Sequence, residues 1–278
     1  MLPVKYKDRR SEGGTTLRQC QLAQLHILYV VDAICKEKGV RYFLGGGTLI
    51  GAMRHGGFIP WDDDLDICVP ADEFTQFVKT MRESLPPDIV LQTPSDVPFT
   101  AIPFVKLRDT CSFYCECRDD VSTSDPSGIY IDVFPYEDMP EIGRALQRLF
   151  IKSIGSTWMR TIWFRNQARR GLVVGVPALV VSGFLCAIHH LLRFALYVLK
   201  RLLPCRSVCN LCEMGLTYLF KKSDVYPLAV HRFEDGEFPV PGNADGVLTS
   251  QYGDWRKMPP PEKREWHARI IDPFKSAM

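Results

Sequence analysis

The alternation of apolar and polar positions divides the 278-residue chain into three stretches of different character. Between Thr15 and Val40, Leu22, Leu25, Leu28, Val31 and Ile34 recur at helical spacing, with Thr15 or Thr16 to cap the start and Gly39 to end it. "VRYFLGGG" reads as a short strand running into a glycine turn, and "TLIGAMRHGG" as a short helix closed by Gly56 and Gly57. "LDICV" is a second strand, and "DEFTQFVKTMRESL" an amphipathic helix that stops before Pro86. "FTAIPFVKLRD", "CSFYCEC" and "GIYIDVFP" are β-rich and bounded by turn residues. This order predicts an α/β (α+β) domain over residues 1–140, a mixed sheet with flanking helices.

The character changes after Pro140. Residues 141–225 form a basic and hydrophobic helical insertion. Arg144, Arg148, Lys152, Arg160, Arg165, Arg169 and Arg170 alternate with Trp158, Trp163 and Phe164, and residues 171–188 then carry no charge. Residues 226–278 are polar and Pro-rich, a loop-dominated segment that completes the first domain.

A net charge of +2 with no long Lys/Arg block argues against a nucleic-acid partner. The first 16 residues are polar and lack a secretory pattern, so the ten cysteines read as reduced thiols in a cytoplasmic or cytosol-facing protein. Cys205, Cys209 and Cys212 have the C-x3-C-x2-C spacing of an iron–sulfur site. The same spacing is one face of a helix continuing through Leu216, Leu219 and Phe220, and that reading is preferred. Cys111, Cys115 and Cys117 alternate as in a strand, with a zinc site as the alternative. His55 and His267 have no visible partner and receive no catalytic role.

The candidate chemistry lies in "GGFIPWDDDLDICVP", residues 56–70. Four carboxylates within five residues repel one another unless a cation neutralises them. On a strand, Asp62, Asp64 and Asp66 share one side, while Leu65 and Ile67 face the core. Hard divalent cations such as Mg²⁺ or Mn²⁺ accept such ligands and leave positions for phosphate oxygens. "IYIDVFP" offers a third anchor, Asp132, from a neighbouring strand. The turn at Gly46 and Gly47, opening a helix at Thr48, presents free backbone N–H groups to a phosphate.

A Gly-Gly-Thr turn, an Asp-x-Asp on the next strand and a lone Asp on a later one resemble the nucleotidyltransferase-fold active site. "YFLGGGTLIGAMRHGGFIPWDDDLDICVP", "FVKLRDT", "IDVFPYEDMP" and "VPGNADGVLTSQYGDWRKMPP", in that order, resemble the LicD family, which is related to fukutin-related protein. The resemblance covers roughly residues 17–140 and 230–267 and leaves the middle block outside. It implies a metal-dependent phosphotransferase that moves phosphocholine, or a polyol phosphate, from a CDP-activated donor such as CDP-choline onto a cell-surface glycan. On that resemblance Asp64, Asp66 and Asp132 are the catalytic carboxylates and metal ligands, with Asp62 an additional ligand. Gly46, Gly47 and Thr48 hold donor phosphates, and Arg54 and Lys106 neutralise them. Tyr252, Gly253, Asp254 and Trp255 close the site without an assigned chemical role.

Two other functions stay open. One is a nucleotidyltransferase attacking the α-phosphate of an NTP with the same carboxylates. The other is an inactive membrane-associated scaffold, whose mark would be loss of a carboxylate. One full membrane crossing by residues 171–203 would separate Asp64 from the YGDW segment, which the resemblance places in one domain. The expectation is peripheral contact with the inner face of the membrane, the alternative a helical pair buried in the fold.

Overall fold

The computed structural model describes residues 7–94, 104–116, 127–167, 172–211, 218–264 and 266–275. Cys117 and Cys212 fall outside them, as does most of the apolar run before Val105. Helix α1 (Thr16–Lys38) starts where Thr15 Oγ1 accepts the Arg18 N–H (3.2 Å) and ends at Gly39 in the left-handed region, φ 68°. Most of α1 is buried, which places it at the centre of the molecule.

Strand β1 (Phe43–Leu44) leads into α2 (Gly46–Ile50), which widens into a π turn over Gly51–His55. Strand β2 (Asp66–Pro70) and helix α3 (Phe74–Ser84) follow, then β3 (Ile89–Gln92), β4 (Val105–Asp109), β5 (Phe113–Glu116) and the ten-residue β6 (Tyr130–Met139). Two long helices, α4 (Arg144–Gln167) and α5 (Leu172–Leu202), form a hairpin before β7 (Ser207–Asn210) and β8 (Leu219–Lys221). The chain closes with α6 (Lys222–Val225), the hairpin β9 (Ala229–Phe233) and β10 (Gly236–Val240), α7 (Ala244–Tyr252) and β11 (Ala268–Asp272).

The main sheet is mixed, as expected. Its order is β1-β2-β6-β4-β3, with β7 and β8 added beside the distal half of β6. Only β2 and β6 run parallel, and their register sets Asp66 opposite Asp132. Strand β4 pairs with residues 130–133 and β7 with 136–139. Cys209 is thus fixed on a strand, and the helix expected for the Cys205–Cys209 segment does not form, because β7 completes the edge of β6.

The C-terminal segment is more ordered than its Pro-rich composition suggests. Val225, Phe233, Phe238, Val247, Leu248 and Trp255 enter the same apolar core as α1 and the sheet. Glu234, at φ 57°, ties the β9–β10 turn down: it accepts two bonds from Arg18 (2.6 and 3.0 Å) and one from Phe58 N–H (3.1 Å). Arg10 makes the other tie, bonding both Asp109 oxygens and the Pro273 carbonyl.

Candidate active site

The acidic run occupies a connection, not a strand. Residues 62–65 have no sheet partner, and β2 begins at Asp66. Buried glutamines of α1 satisfy the backbone instead. Gln21 donates to the Asp62 carbonyl (2.9 Å), and Gln24 to those of Asp63 (2.8 Å) and Tyr130 (3.2 Å). The Leu65 carbonyl accepts the Asp132 N–H (2.8 Å). Alternation nevertheless survives: Asp62, Asp64 and Asp66 line one cleft, and Leu65 and Ile67 are buried.

Asp63 does not face away into solvent. It is fully buried, and its oxygens accept from Tyr114 Oη (3.0 Å), His267 N–H (3.1 Å), Ala268 N–H (2.8 Å) and His267 Nδ1 (3.0 Å). Burial raises its pKa, but these hydrogen bonds, His267's first among them, hold it below the usual range. Asp63 therefore fastens the start of β11, and with it His267, against the acidic loop.

His267 is the residue that sequence reasoning missed. One oxygen each from Asp62 and Asp64 and a ring nitrogen of His267 lie within 4.8 Å of one another, a spacing that would hold a metal ion. Among the described residues, Asp66 and Asp132 stand outside that group. The Asp63 hydrogen bond raises the His267 pKa to about 9, with Asp64 adding to it. Burial, then the Asp64 charge, pushes the Asp62 carboxyl well above the ordinary range. The bare cluster thus shares too much negative charge, which an imidazolium offsets in part.

The glycine turn meets the acids at close range. A Cβ on Gly46 (φ 51°) would lie 2.3 Å from Asp66 Oδ2, and one on Gly47 would lie 2.9 Å from Asp62 Oδ2. Thr48 is buried, and its Oγ1 accepts the Asp66 N–H (2.8 Å). The expected phosphate cradle therefore also shapes the carboxylates.

Asp132 sits one strand behind Asp66, and partners in a parallel register project to the same face. It is buried, and its Oδ1 lacks a hydrogen bond of good geometry, although Lys106 Nζ stands 3.1 Å away. Burial lifts its pKa to about 6, opposed by Lys106. Lys106 is itself buried, pairs with Glu116 (2.9 Å) and lies 3.2 Å from the centre of the Tyr130 ring. It does not line the cleft; its contacts make it the counter-ion of Asp132.

The cleft encloses about 480 Å³. Arg54, Lys257, Lys263 and Arg264 surround its acidic floor, and Arg264 stacks on Trp61 with its Cζ 4.0 Å from the ring centre. Arg54 donates to the Trp255 carbonyl (2.7 Å), while Trp255 Nε1 bonds Asp245 (3.0 Å). Tyr252, Asp254 and Trp255 line the cleft, and the Trp255 carbonyl holds Arg54 beside it. Lys257 falls within the quoted YGDWRKMPP stretch, but Lys263 and Arg264 carry no motif that would reveal them.

Residues 39–167 match the LicD/FKTN/FKRP nucleotidyltransferase domain. The likeness is to a LicD-type nucleotidyltransferase domain, over just under half of the chain. It is 26% identical to the lipopolysaccharide cholinephosphotransferase LicD of Haemophilus influenzae over 91% of this chain and 96% of that protein. Two shorter likenesses are to the ribitol 5-phosphate transferase FKRP. The mouse protein is 45% identical over 20% of this chain and 11% of its own length; the human one is 56% identical over 14% and 8%. The LicD-family match includes Asp62, Asp63, Asp64, Asp66 and Asp132 but ends before Arg264 and His267.

Proposed function

We propose that the protein is a metal-dependent phosphotransferase that moves phosphocholine, or a polyol phosphate, from a CDP-activated donor to a glycan hydroxyl. The observation that carries this reading is that three carboxylates and four cationic side chains line one cleft. A pyrophosphate donor needs that pairing: cations for its charged oxygens and carboxylates for the cation that accompanies them. The relatives' names point to the same class of group transfer.

The residues fit a divalent cation, Mg²⁺ or Mn²⁺. Asp62, Asp64 and His267 would hold it, and Asp66 would complete the set from the head of β2. Asp63, hydrogen-bonded to His267 Nδ1, would orient the imidazole beside the cation. When bound, the cation would neutralise these carboxylates and the charge developing on the donor phosphate.

In the reaction, an acceptor hydroxyl attacks the β-phosphorus of the CDP donor. A new P–O bond forms, the bond to the bridging oxygen breaks, and CMP leaves with the electron pair. We assign the hydroxyl proton to Asp132, whose pKa of about 6 suits a base working near neutrality. Gly46, Gly47 and Thr48 would orient the donor phosphates, and Arg54 would neutralise them. Lys106 keeps Asp132 positioned. The reaction is placed in the cytoplasm, in keeping with the eight free cysteines among the described residues.

Thermal-shift titration in the presence of Mn²⁺ tests the donor class. CDP-choline, CDP-ribitol or CDP-glycerol should raise the melting temperature by binding the native state. Stabilisation by UDP-sugars, with no effect of any CDP compound, would overturn the assignment.

A further inference from the structure

Between Glu141 and Glu213 the chain has no Asp or Glu and eleven Lys or Arg, leaving 23 of its 34 basic residues to face all 32 acidic ones elsewhere. This stretch holds the α4–α5 hairpin. It departs after β6 and returns at β7, which pairs with β6, so both ends of the hairpin sit on the same part of the sheet.

Helix α5 carries apolar side chains on its outside as well as in its seam with α4. That seam contains small and polar groups from α5: Gly175, Ala178 and Ser182 are buried. Ser182 Oγ donates to the Thr161 carbonyl of α4 (3.0 Å), Thr161 Oγ1 to the Thr157 carbonyl (2.7 Å), and Thr157 Oγ1 lies 3.5 Å from His189 Nδ1. Ile154, Ile162 and Leu196 are buried as well, but most large side chains of α5 point outward. Val173 is 90% exposed, Val180 and Phe184 68%, Leu191 67% and Phe194 63%. Residues 173–202 are long and apolar enough to cross a membrane, yet only 17% of the most apolar window is buried.

An exterior of Val, Leu and Phe on α5, over a seam that adds hydrogen-bonded Ser, Thr and His to Ile154, Ile162 and Leu196, suits hydrocarbon as the surrounding medium. Charge selects the partner. A second copy would set one strongly basic hairpin against another, whereas an anionic leaflet attracts it. Geometry selects the posture. At about 1.5 Å per residue, α5 extends for ~46 Å, well beyond the ~30 Å of hydrocarbon in a bilayer. Exposed Arg165 stands near one end of α4, and exposed Arg201 at the far end of α5 beside Lys200, which pairs with Glu137.

We propose that the α4–α5 hairpin is an in-plane membrane anchor. The exposed face of α5 lies among acyl chains of an anionic leaflet, and the flanking Arg and Lys residues engage headgroup phosphates. The inference rests on the hairpin alone and stands whether or not the transferase reading is right.

Co-sedimentation of the full chain with vesicles tests it. Vesicles of phosphatidylcholine containing about a third phosphatidylglycerol should bind the protein at least tenfold better than pure phosphatidylcholine. Val180→Glu with Phe184→Glu, both on the exposed face, should reduce binding at least tenfold with an unchanged melting curve. Val173→Ser with Leu191→Ser, a milder pair, should weaken it in the same direction should the first pair fail to fold. After reconstitution, protease added outside should remove tags at both residue 1 and residue 278. Wild-type protein that stays in solution with both vesicle types overturns the proposal, as do variants that bind as well as wild type. Protection of one tag alone overturns the in-plane posture. A lipid-free dimer that the Glu pair dissociates, with no vesicle binding, would give the face to a second copy instead.

Discussion

Asp63→Ala should be among the most destabilising single changes in the acidic run, although Asp63 does not line the cleft. Two of its hydrogen-bond donors, Tyr114 Oη and Ala268 N–H, are buried and would lose their acceptor. A buried donor left unsatisfied costs ~1–3 kcal/mol. His267 is half-exposed, so its two donors can turn to water and are left out of this sum; loss of the pair itself adds a further, pH-dependent part. The two buried donors give about 4 kcal/mol, and at ~2–4 °C per kcal/mol for a chain of this size the melting point should fall by roughly 8–16 °C. The pH dependence follows from His267. Its folded pKa is raised to about 9, so its bond to Asp63 contributes fully below its unfolded value of ~6.5 and is lost as pH rises through about 9. Melts in EDTA should therefore show a gap between wild type and variant that narrows from pH 7 to 10. A variant melting within ~2 °C of wild type at pH 7, or a gap that does not change with pH, would refute this account of Asp63.

Asp64→Asn removes a charge that helps to push up the Asp62 carboxyl. It should melt no lower than wild type in EDTA, lose the stabilisation given by Mn²⁺, and lose turnover by ~100-fold or more. Asp132, with its pKa raised to about 6 by burial, contributes stability below ~3.9 that is lost as pH rises through about 6. Metal-free wild type should accordingly lose stability from pH 5 to 7, and Asp132→Asn should flatten that slope in thermal melts. Gly46→Ala puts a Cβ 2.3 Å from Asp66 Oδ2 at a positive φ and should cost about 2 kcal/mol in chemical denaturation and most of the turnover. Gly14→Ala, with no atom within 4 Å of the added Cβ, should be neutral in both.

The parts of the fold written in local pattern are legible in the sequence. The 3.6-residue period of α1 and its Thr15 and Gly39 caps place that helix to within a residue, and the strand ending in the glycine turn is equally plain. Alternation puts the acids at 62, 64 and 66 on one side, although glutamines of α1, not a sheet neighbour, hold that geometry. Alternation turns Asp63 away from the cleft, as found, but cannot say whether that face meets solvent or another strand. The β11 strand that covers Asp63 arrives some 200 residues later, from a segment whose prolines suggest loops. His267, Lys263 and Arg264 are hidden for the same reason: no local spacing links them to the carboxylates they face. The Cys209 segment shows a further limit, since helical spacing over a few residues yields to the open edge of β6.

The central claim is that this cleft transfers a phosphoalcohol group from a CDP donor with the help of a divalent cation. The most direct test is ³¹P NMR of the full chain mixed with CDP-choline, Mg²⁺ and lipopolysaccharide lacking phosphocholine. The account predicts that CMP accumulates as a phosphodiester signal appears on the glycan, and that EDTA or Asp64→Asn abolishes both. Release of phosphocholine with CMP bound to the glycan would instead place attack at the α-phosphorus, and CMP release undiminished by EDTA would contradict the metal-dependent mechanism.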